Sequence, residues 1–538
     1  MEKLASKTRY SRIAIAACCL YFLIGQAFIP LLGIEDDESL FAMPLLNPRS
    51  SEYSLHVLHR DVSLMLMSYL GTLKTLIFKF VVQAFGTSVW ATREPMLIAG
   101  AASVWLFYLL MRRVAGELAA IAGCVLLAAD TLYLLTSCFD WGPVALQHLL
   151  ITGGAYALVR FYQERDDRVL AAGCFAFGLA MWDKALAEWM LSGLAVAALV
   201  LCLRQIRSIF ALRRAGIAAV AFCLGALPLI VYNAANSGAT FSGNFHRETN
   251  RFGEKAQVLW NTVDGSGLIG YLTHADSQTP HPHERRGLQS VSAGIERAMG
   301  DDTDNLTIYG LVAAVLLSAL GGWRSVRTVL FAAIAMAVAW VQMAMTATAG
   351  GSVHHTILLW PLPMVALAAG FAGVWERAGR AGVWMLALVV GILSVSSLLT
   401  TNEYYRLMSR NGGSLSWTDA INPLRDDLMG RRARMVYCVD WGILDNLRLL
   451  SRGRLPLVWS DSFSPAEMAG MSEPGGVFAG HVEGVQYMPE NARKLAVAAE
   501  GAGLHRESLA VISDSFGRPT FEVYRYVRTV SGGTAGGR

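Results

Sequence analysis

Long apolar blocks separated by short polar gaps dominate the chain, at roughly 11–32, 94–112, 115–137, 143–163, 168–182, 184–203, 211–234, 305–321, 326–349, 354–374 and 381–401. Most approach the roughly 20 residues a helix needs to cross hydrocarbon, so the pattern predicts an α-helical polytopic membrane protein with about eleven spans. With the N-terminus inside and the gaps numbered alternately, the inner segments hold Lys3, Lys7, Arg9 and Arg12; Arg112 and Arg113; Arg165 and Arg168; Arg204, Arg207, Arg213 and Arg214; Arg324 and Arg327; Arg377 and Arg380. The short outer gaps are nearly free of basic residues, as the positive-inside rule requires. That parity puts Asp37, Asp140, Lys184 and His354 on one outer face.

Three stretches break the rhythm. The loop 33–93 is polar at first, and its later part, Val62 to Phe85, is apolar but carries Gly71, Lys74 and Lys79. It reads as helices lying at the membrane interface with the lysines reaching up to water. The alternative, one more span, would invert every later loop and put the arginines outside. A second outer loop, 236–304, is rich in Gly, Asn, His and Asp, as a lid or flexible loop would be. Its His274, His281 and His283 lack a carboxylate or cysteine spaced to complete a metal site, and a solvated loop is expected there.

Beyond residue 401 the apolar density drops. Short strands are expected at 434–439, 455–459, 477–479, 509–512 and 521–527, alternating with helices near 441–452, 464–471 and 489–502. This is the pattern of a small C-terminal α/β domain, 402–530, followed by a Gly-rich disordered tail, 531–538. An odd number of spans places that domain outside the cell. No Gly-rich phosphate loop opens its helices, so a nucleotide site is not expected.

Composition agrees with the pattern: 54% hydrophobic and 16% charged residues, with a mean hydropathy of +0.41. The net charge of +4 is explained by the inner loops and gives no reason to invoke nucleic acid. Of the 8 cysteines most fall within predicted spans, and no CxxC or Cys/His spacing marks a disulfide framework or structural zinc. The basic start and apolar run from Ile13 resemble a secretory signal, but the run is long and no small-residue cleavage site follows; a retained first helix is expected.

Four polar groups stand out. Glu35-Asp36-Asp37-Glu38 follows the first helix directly, and four adjacent acids must be solvated, partly protonated or facing a cation. Asp140 lies in a short turn, Cys138 to Pro143, between two apolar helices, where a charge is costly and a functional candidate by default. Lys184 occupies a similar turn; its alternative role is to pair with Asp183 or Glu188. His354-His355 open the helix containing Trp360-Pro361-Leu362-Pro363, and donors at a helix N-terminus suit a phosphate.

Taken together these features resemble the integral-membrane glycosyltransferases of the GT-C superfamily. The resemblance rests on the outer-loop acids after the anchor helix, Gly71-Thr72-Leu73-Lys74, Arg93-Glu94-Pro95 at the entry to the second span, Asp140, and the Gly178-Leu179-Ala180 to Lys184 turn. It covers roughly 10–375 and is narrowest to the bacterial protein-mannosyltransferase-like branch, which includes the aminoarabinose transferase and the Rgt lipopolysaccharide glycosyltransferases. His354-His355 departs from the arginine-tyrosine pattern of the aminoarabinose branch, which leaves the sugar open.

The resemblance implies an inner-membrane catalytic domain over 1–401 that uses a polyprenyl-phosphate-sugar donor, inverts the anomeric centre and glycosylates a lipid, glycan or protein acceptor. An acceptor hydroxyl needs a carboxylate base; Asp37 is the expected base, with Glu38 or Asp36 in support and Asp140 orienting the acceptor. Lys74, Lys184, His354 and His355 are the expected donors to the leaving phosphate. A divalent cation (Mg or Mn) between Asp37 and Asp140 is the one cofactor the resemblance allows. The rival classes are a transporter or lipid flippase, disfavoured by the absence of inverted repeats of broken helices, and a non-catalytic assembly subunit docking through the C-terminal domain.

Overall fold

The computed structural model describes residues 2–274, 287–301 and 303–528. His281 and His283 and the tail 531–538 lie outside the described residues. Every predicted apolar block becomes helical, because twenty apolar residues in lipid can satisfy their backbone groups only within a helix. By length and composition six described helices can cross a membrane, or up to eight if each of two bent pairs is one span. One of those six, Val353–Asn411, is 59 residues long, far more than one crossing needs. It breaks at Glu376–Ala378, and both flanking helices, Leu362–Trp375 and Gly379–Asn411, lie against Gly310 through Leu367 and Leu393. They are two passes of a hairpin.

The bent pairs have local causes. Glu117–Ala129 and Thr131–Cys138 meet at 56°. Asp130 sits at the break, where its carboxylate accepts from Tyr133 N (2.8 Å) and Trp360 Nε1 (3.0 Å). An acid hidden inside an expected continuous span thus serves as the N-cap of the second half. Leu212–Gly225 and Leu227–Ala235 meet at 70° where Pro228 enters the chain.

The loop after the first helix corrects the expectation of interfacial helices from Val62 onward. Tyr53–Val57 (β1), Arg60–Met67 (β2) and Leu70–Gly71 (β3) form an antiparallel three-stranded sheet; only Leu73–Phe85 is helical. Leu58 and His59 both have positive φ (48° and 63°), the geometry of a tight two-residue hairpin. Neither is the Gly or Asn such turns favour, so the hairpin left no composition signal.

The C-terminal region has the expected alternation. Strands β4 (Met435–Cys438), β5 (Leu457–Trp459), β6 (Gly476–His481), β7 (Leu504–Ser513) and β8 (Pro519–Arg528) form one sheet in the order β5-β4-β6-β8-β7. β4 runs parallel to β5 and β6, and β8 antiparallel to β6 and β7. Helices Leu444–Leu450, Pro465–Met471 and Pro489–Gly501 are the connections. The helix before this region extends to Asn411, past the last apolar block. The sheet also shares a core with the first loop: Phe41, Leu66 and Phe78 pack in one cluster with Leu424, Val436, Leu447 and Phe521. At the junction a Cβ on Gly33 would lie 1.9 Å from Thr418 O, so only glycine permits the approach. The C-terminal region therefore buttresses the acid-bearing loop.

Candidate active site

The four adjacent acids face different surroundings, and two of them, Glu35 and Glu38, are tied down by hydrogen bonds. Glu35 caps the short helix Asp36–Leu40, its Oε2 accepting from Asp37 N (2.8 Å) and Glu38 N (3.3 Å). Glu38, buried, is held by Arg93: Nε donates to Oε1 (2.9 Å) and Nη2 to Oε2 (2.7 Å). The same guanidinium donates to the carbonyls of Ile29, Leu32 and Gly33, which fixes the end of the first helix relative to the second span. Asp36 turns toward Asp445 on the helix Leu444–Leu450, and burial and that neighbour raise it well above the ordinary carboxylate range. Asp36 and Asp37 both keep carboxylates that no hydrogen bond or ion pair engages among the described residues, but only Asp37 lies in the field of the two lysines, Lys184 and Lys74. Burial raises Asp37 to about 6, Lys184 and Lys74 pull against that rise, and Asp445 adds to it.

Asp140 and Lys74 form a buried pair. Lys74 Nζ donates to Asp140 Oδ2 (3.1 Å) and to its carbonyl oxygen (2.5 Å), while Val144 N donates to Oδ1 (2.6 Å). Lys74 is 1% exposed and lies over the Phe41 ring at 4.3 Å, so it does not reach up to water as expected; Lys79 does stay exposed. The cause is Gly71. A Cβ there would lie 2.0 Å from Trp182 O, so its absence lets β3 press against the Lys184 turn and swing the following helix inward.

Lys184 is docked by the same contact: Leu70 bridges Lys184 and Ala185 N donates to Tyr69 O (2.9 Å). Its Nζ donates to Gly142 O (3.1 Å) and makes no ion pair among the described residues. Burial lowers it to about 8, against the opposing charges of Asp140, Asp183 and Asp37. Asp183 does not take it, since its carboxylate accepts from Gln147 Nε2 (3.0 Å).

His354 and His355 do not open a long helix. They sit in the last turn of the four-residue helix Val353–Thr356, and the apolar helix starts only at Leu362. The expected dipole argument for an anion therefore fails, and their contribution is through the rings. Trp141 Nε1 donates to His354 Nδ1 (3.1 Å), which leaves Nε2 to carry the ring's proton. A Cβ on Gly142 would lie 2.9 Å from His354 Cδ2 and 3.3 Å from Lys184 Nζ, so this glycine is the point where the two groups converge. His355 lies tilted against His354, ring centroids 4.1 Å apart at 53°, with its Nδ1 buried and unpartnered among the described residues.

Asp37, Lys74, Asp140, Lys184 and His354 are thus brought together, with His355 behind them. Arg93, Gln147, Trp141 and Asp445 complete the setting and were not assigned these roles from sequence. Arg93 had a readable signal, a lone arginine at the start of an apolar span; the others had none. The described residues around Asp37 and Asp140 do not form a ready site for the divalent cation that the resemblance allows. Among the described residues no group of three or more His, Cys, Asp or Glu is placed to hold a metal, and both Asp140 oxygens are engaged.

Residues 72–232 match the family model described as dolichyl-phosphate-mannose-protein mannosyltransferase. No curated protein sequence matches the chain. Among solved structures, ArnT from Cupriavidus metallidurans bound to undecaprenyl phosphate is similar at 12% identity with a TM-score of 0.56, covering 95% of this chain and 97% of that one. An oligosaccharyltransferase from Archaeoglobus fulgidus in complex with Zn and sulfate is similar at 13% identity and a TM-score of 0.52, covering 93% of this chain and 72% of that one. The fold is shared with these two solved structures, and the family-model match over residues 72–232 agrees with the expected resemblance to the protein-mannosyltransferase-like branch.

Proposed function

We propose that the chain is a multi-pass inner-membrane glycosyltransferase that moves a sugar from a polyprenyl-phosphate donor to a hydroxyl acceptor on the outer side, with inversion. One observation carries this reading: Asp37 is a carboxylate that no hydrogen bond engages, in the field of a buried ammonium, Lys184, that itself forms no ion pair among the described residues. A base and an anion site side by side are what displacement of a lipid phosphate by a hydroxyl requires.

In that reaction Asp37 accepts the proton of the acceptor hydroxyl as its oxygen bonds to the anomeric carbon. The bond from that carbon to the phosphate oxygen breaks on the opposite face, and the electron pair leaves with the polyprenyl phosphate. Lys184 and the Nε2–H of His354 stabilise the growing phosphate charge, and His355 supports the His354 ring. Lys74 holds Asp140 neutralised and contributes its field to the same pocket. Glu38 and Asp36 act through Asp37, which they position. Asp140 orients the loop toward the acceptor by capping the helix Val144–Glu164. The lipid named for the ArnT structure, undecaprenyl phosphate, supports the donor class.

The orientation rests on the basic loops. Several of them meet at one end of the bundle, where Arg113 pairs with Glu164, Arg214 with Asp167, and Arg324 donates to Val114 O. Comparative mass spectrometry of envelope glycans, lipopolysaccharide and polyprenyl-linked sugars from a deletion strain tests the function. A missing sugar on one envelope component, with its lipid-linked donor accumulating, is the expected result. Unchanged glycans with an altered distribution of lipid across the membrane would favour the transporter.

A further inference from the structure

A second polar pocket lies where the C-terminal region meets the acid-bearing loop. It is lined by Ile34, Ser416, Trp441, Asn446, His481 and Tyr487, among others. Its enclosed part measures about 10 Å³, room for one water-sized group. Ile34 stands three residues before Asp37, and Tyr487 feels the charge of Glu35. The pocket therefore lies beside the acid-bearing turn.

The polar atoms around it are mainly hydrogen-bond acceptors. Asn446 is 2% exposed; its Nδ2 donates to Ile34 O (3.0 Å) and Gly442 O (2.8 Å), but its Oδ1 has no partner among the described residues. An unpartnered buried amide oxygen costs about 1–3 kcal/mol and calls for a donor. His481 Nδ1 lies 2.7 Å from Asp440 Oδ2, and the same carboxylate accepts from the backbone N–H of Trp441, Tyr487 and Met488. An acceptor so saturated fixes the proton on Nδ1 and leaves Nε2 as an acceptor. Ser416 Oγ and Tyr487 OH share a hydrogen bond at 2.6 Å, so one hydroxyl proton between them remains to be donated outward. At the rim, Trp441 is half-buried and Tyr487 40% exposed, their rings edge-to-face at 5.0 Å.

Unpartnered acceptors in a buried setting offer nothing to phosphates and carboxylates and favour neutral hydroxyls, which bring a proton to donate. Aromatic faces beside them suit the C–H face of a sugar ring. We infer that this pocket is the acceptor subsite and binds a saccharide: one hydroxyl enters toward Asn446 Oδ1 and His481 Nε2 while the ring lies on Trp441 and Tyr487. The inference rests on the transferase reading and narrows it, since it makes the acceptor a glycan or glycolipid headgroup instead of a protein.

Saturation-transfer NMR on the full-length protein in detergent, with a panel of neutral methyl glycosides as probes, tests the site directly. At least one glycoside should show transfer in the wild type, and Trp441→Ala and Tyr487→Ala should each weaken it tenfold or more. Both residues reach the surface, so if one variant fails to fold, shown by its unfolding midpoint, the other decides. Absence of transfer for every glycoside, or transfer insensitive to the variant that folds, overturns the inference. So does binding of a Ser/Thr-containing peptide that both variants abolish in place of the glycosides. Release of polyprenyl phosphate from the donor by the wild type is measured in parallel. If none is released while glycosides bind through Trp441 and Tyr487, the transferase reading fails and the saccharide site stands.

Discussion

Arg93 holds Glu38 through two hydrogen bonds, Nε to Oε1 at 2.9 Å and Nη2 to Oε2 at 2.7 Å, and both side chains are buried. This pair ties the acid-bearing turn to the second span, so it sets where Asp37 points. Removing one partner strands the other charge in a low-dielectric site, typically costing about 3–5 kcal/mol. Arg93→Met should therefore lower the unfolding midpoint in detergent sharply, and Arg93→Met/Glu38→Leu should recover much of the loss. An unchanged midpoint for Arg93→Met would show the pair to be dispensable.

The two lysines should separate. Lys74 neutralises a buried carboxylate, so Lys74→Met should destabilise the protein as well as weaken donor binding. Lys184 forms no ion pair among the described residues, so Lys184→Met should lower the unfolding midpoint less than Lys74→Met does. A charge-assisted contact to an anion is worth about 1.5–3 kcal/mol, so its loss should weaken binding of the polyprenyl-phosphate donor tenfold or more. Equal donor affinity in wild type and Lys184→Met would remove Lys184 from the phosphate site.

Activity should depend on pH in a defined sense. The base works only when deprotonated, and Asp37 sits at about 6, so kcat/KM should rise with pH through roughly that value. Lys184 binds phosphate only when protonated and sits at about 8, so donor binding should weaken above it. Asp445→Asn removes a like charge facing Asp37 and should move the acidic limb to lower pH, leaving the alkaline limb in place. A limb that does not move would show that Asp445 has no influence on the base.

Gly71→Ala tests the joint between β3 and the Lys184 turn. The new methyl group would meet Trp182 O, so β3 must retreat and carry Leu73–Phe85 with it. Loss of donor binding together with a lowered unfolding midpoint is expected. A variant with wild-type binding and stability would show that the turn accommodates the methyl group elsewhere.

These relationships explain how far the sequence could be read. The spans were legible because lipid leaves an apolar block of that length little choice but a helix, and the C-terminal strands because β-rich runs alternated with helical ones. Asp37, Asp140 and Lys184 were legible as charges kept beside hydrocarbon. The three-stranded sheet was not, because Leu58-His59 turns without the residues that mark a hairpin. Neither were the partners: nothing in the spacing of Lys74 and Asp140, or of Asp37 and Asp445, indicates that folding brings them together. The helix break at Asp130 was hidden inside a block whose apolar run continues across it.

The central claim, that Asp37 takes the proton of the acceptor hydroxyl, is tested most directly by the rate of sugar transfer in Asp37→Asn measured beside donor binding. Asparagine keeps the size and hydrogen-bonding ability of the side chain but cannot accept the proton at neutral pH. General-base catalysis contributes about 10²–10⁴-fold, so transfer should fall by that order while donor affinity persists and Asp36→Asn is milder. Transfer by Asp37→Asn at the wild-type rate would contradict the assignment.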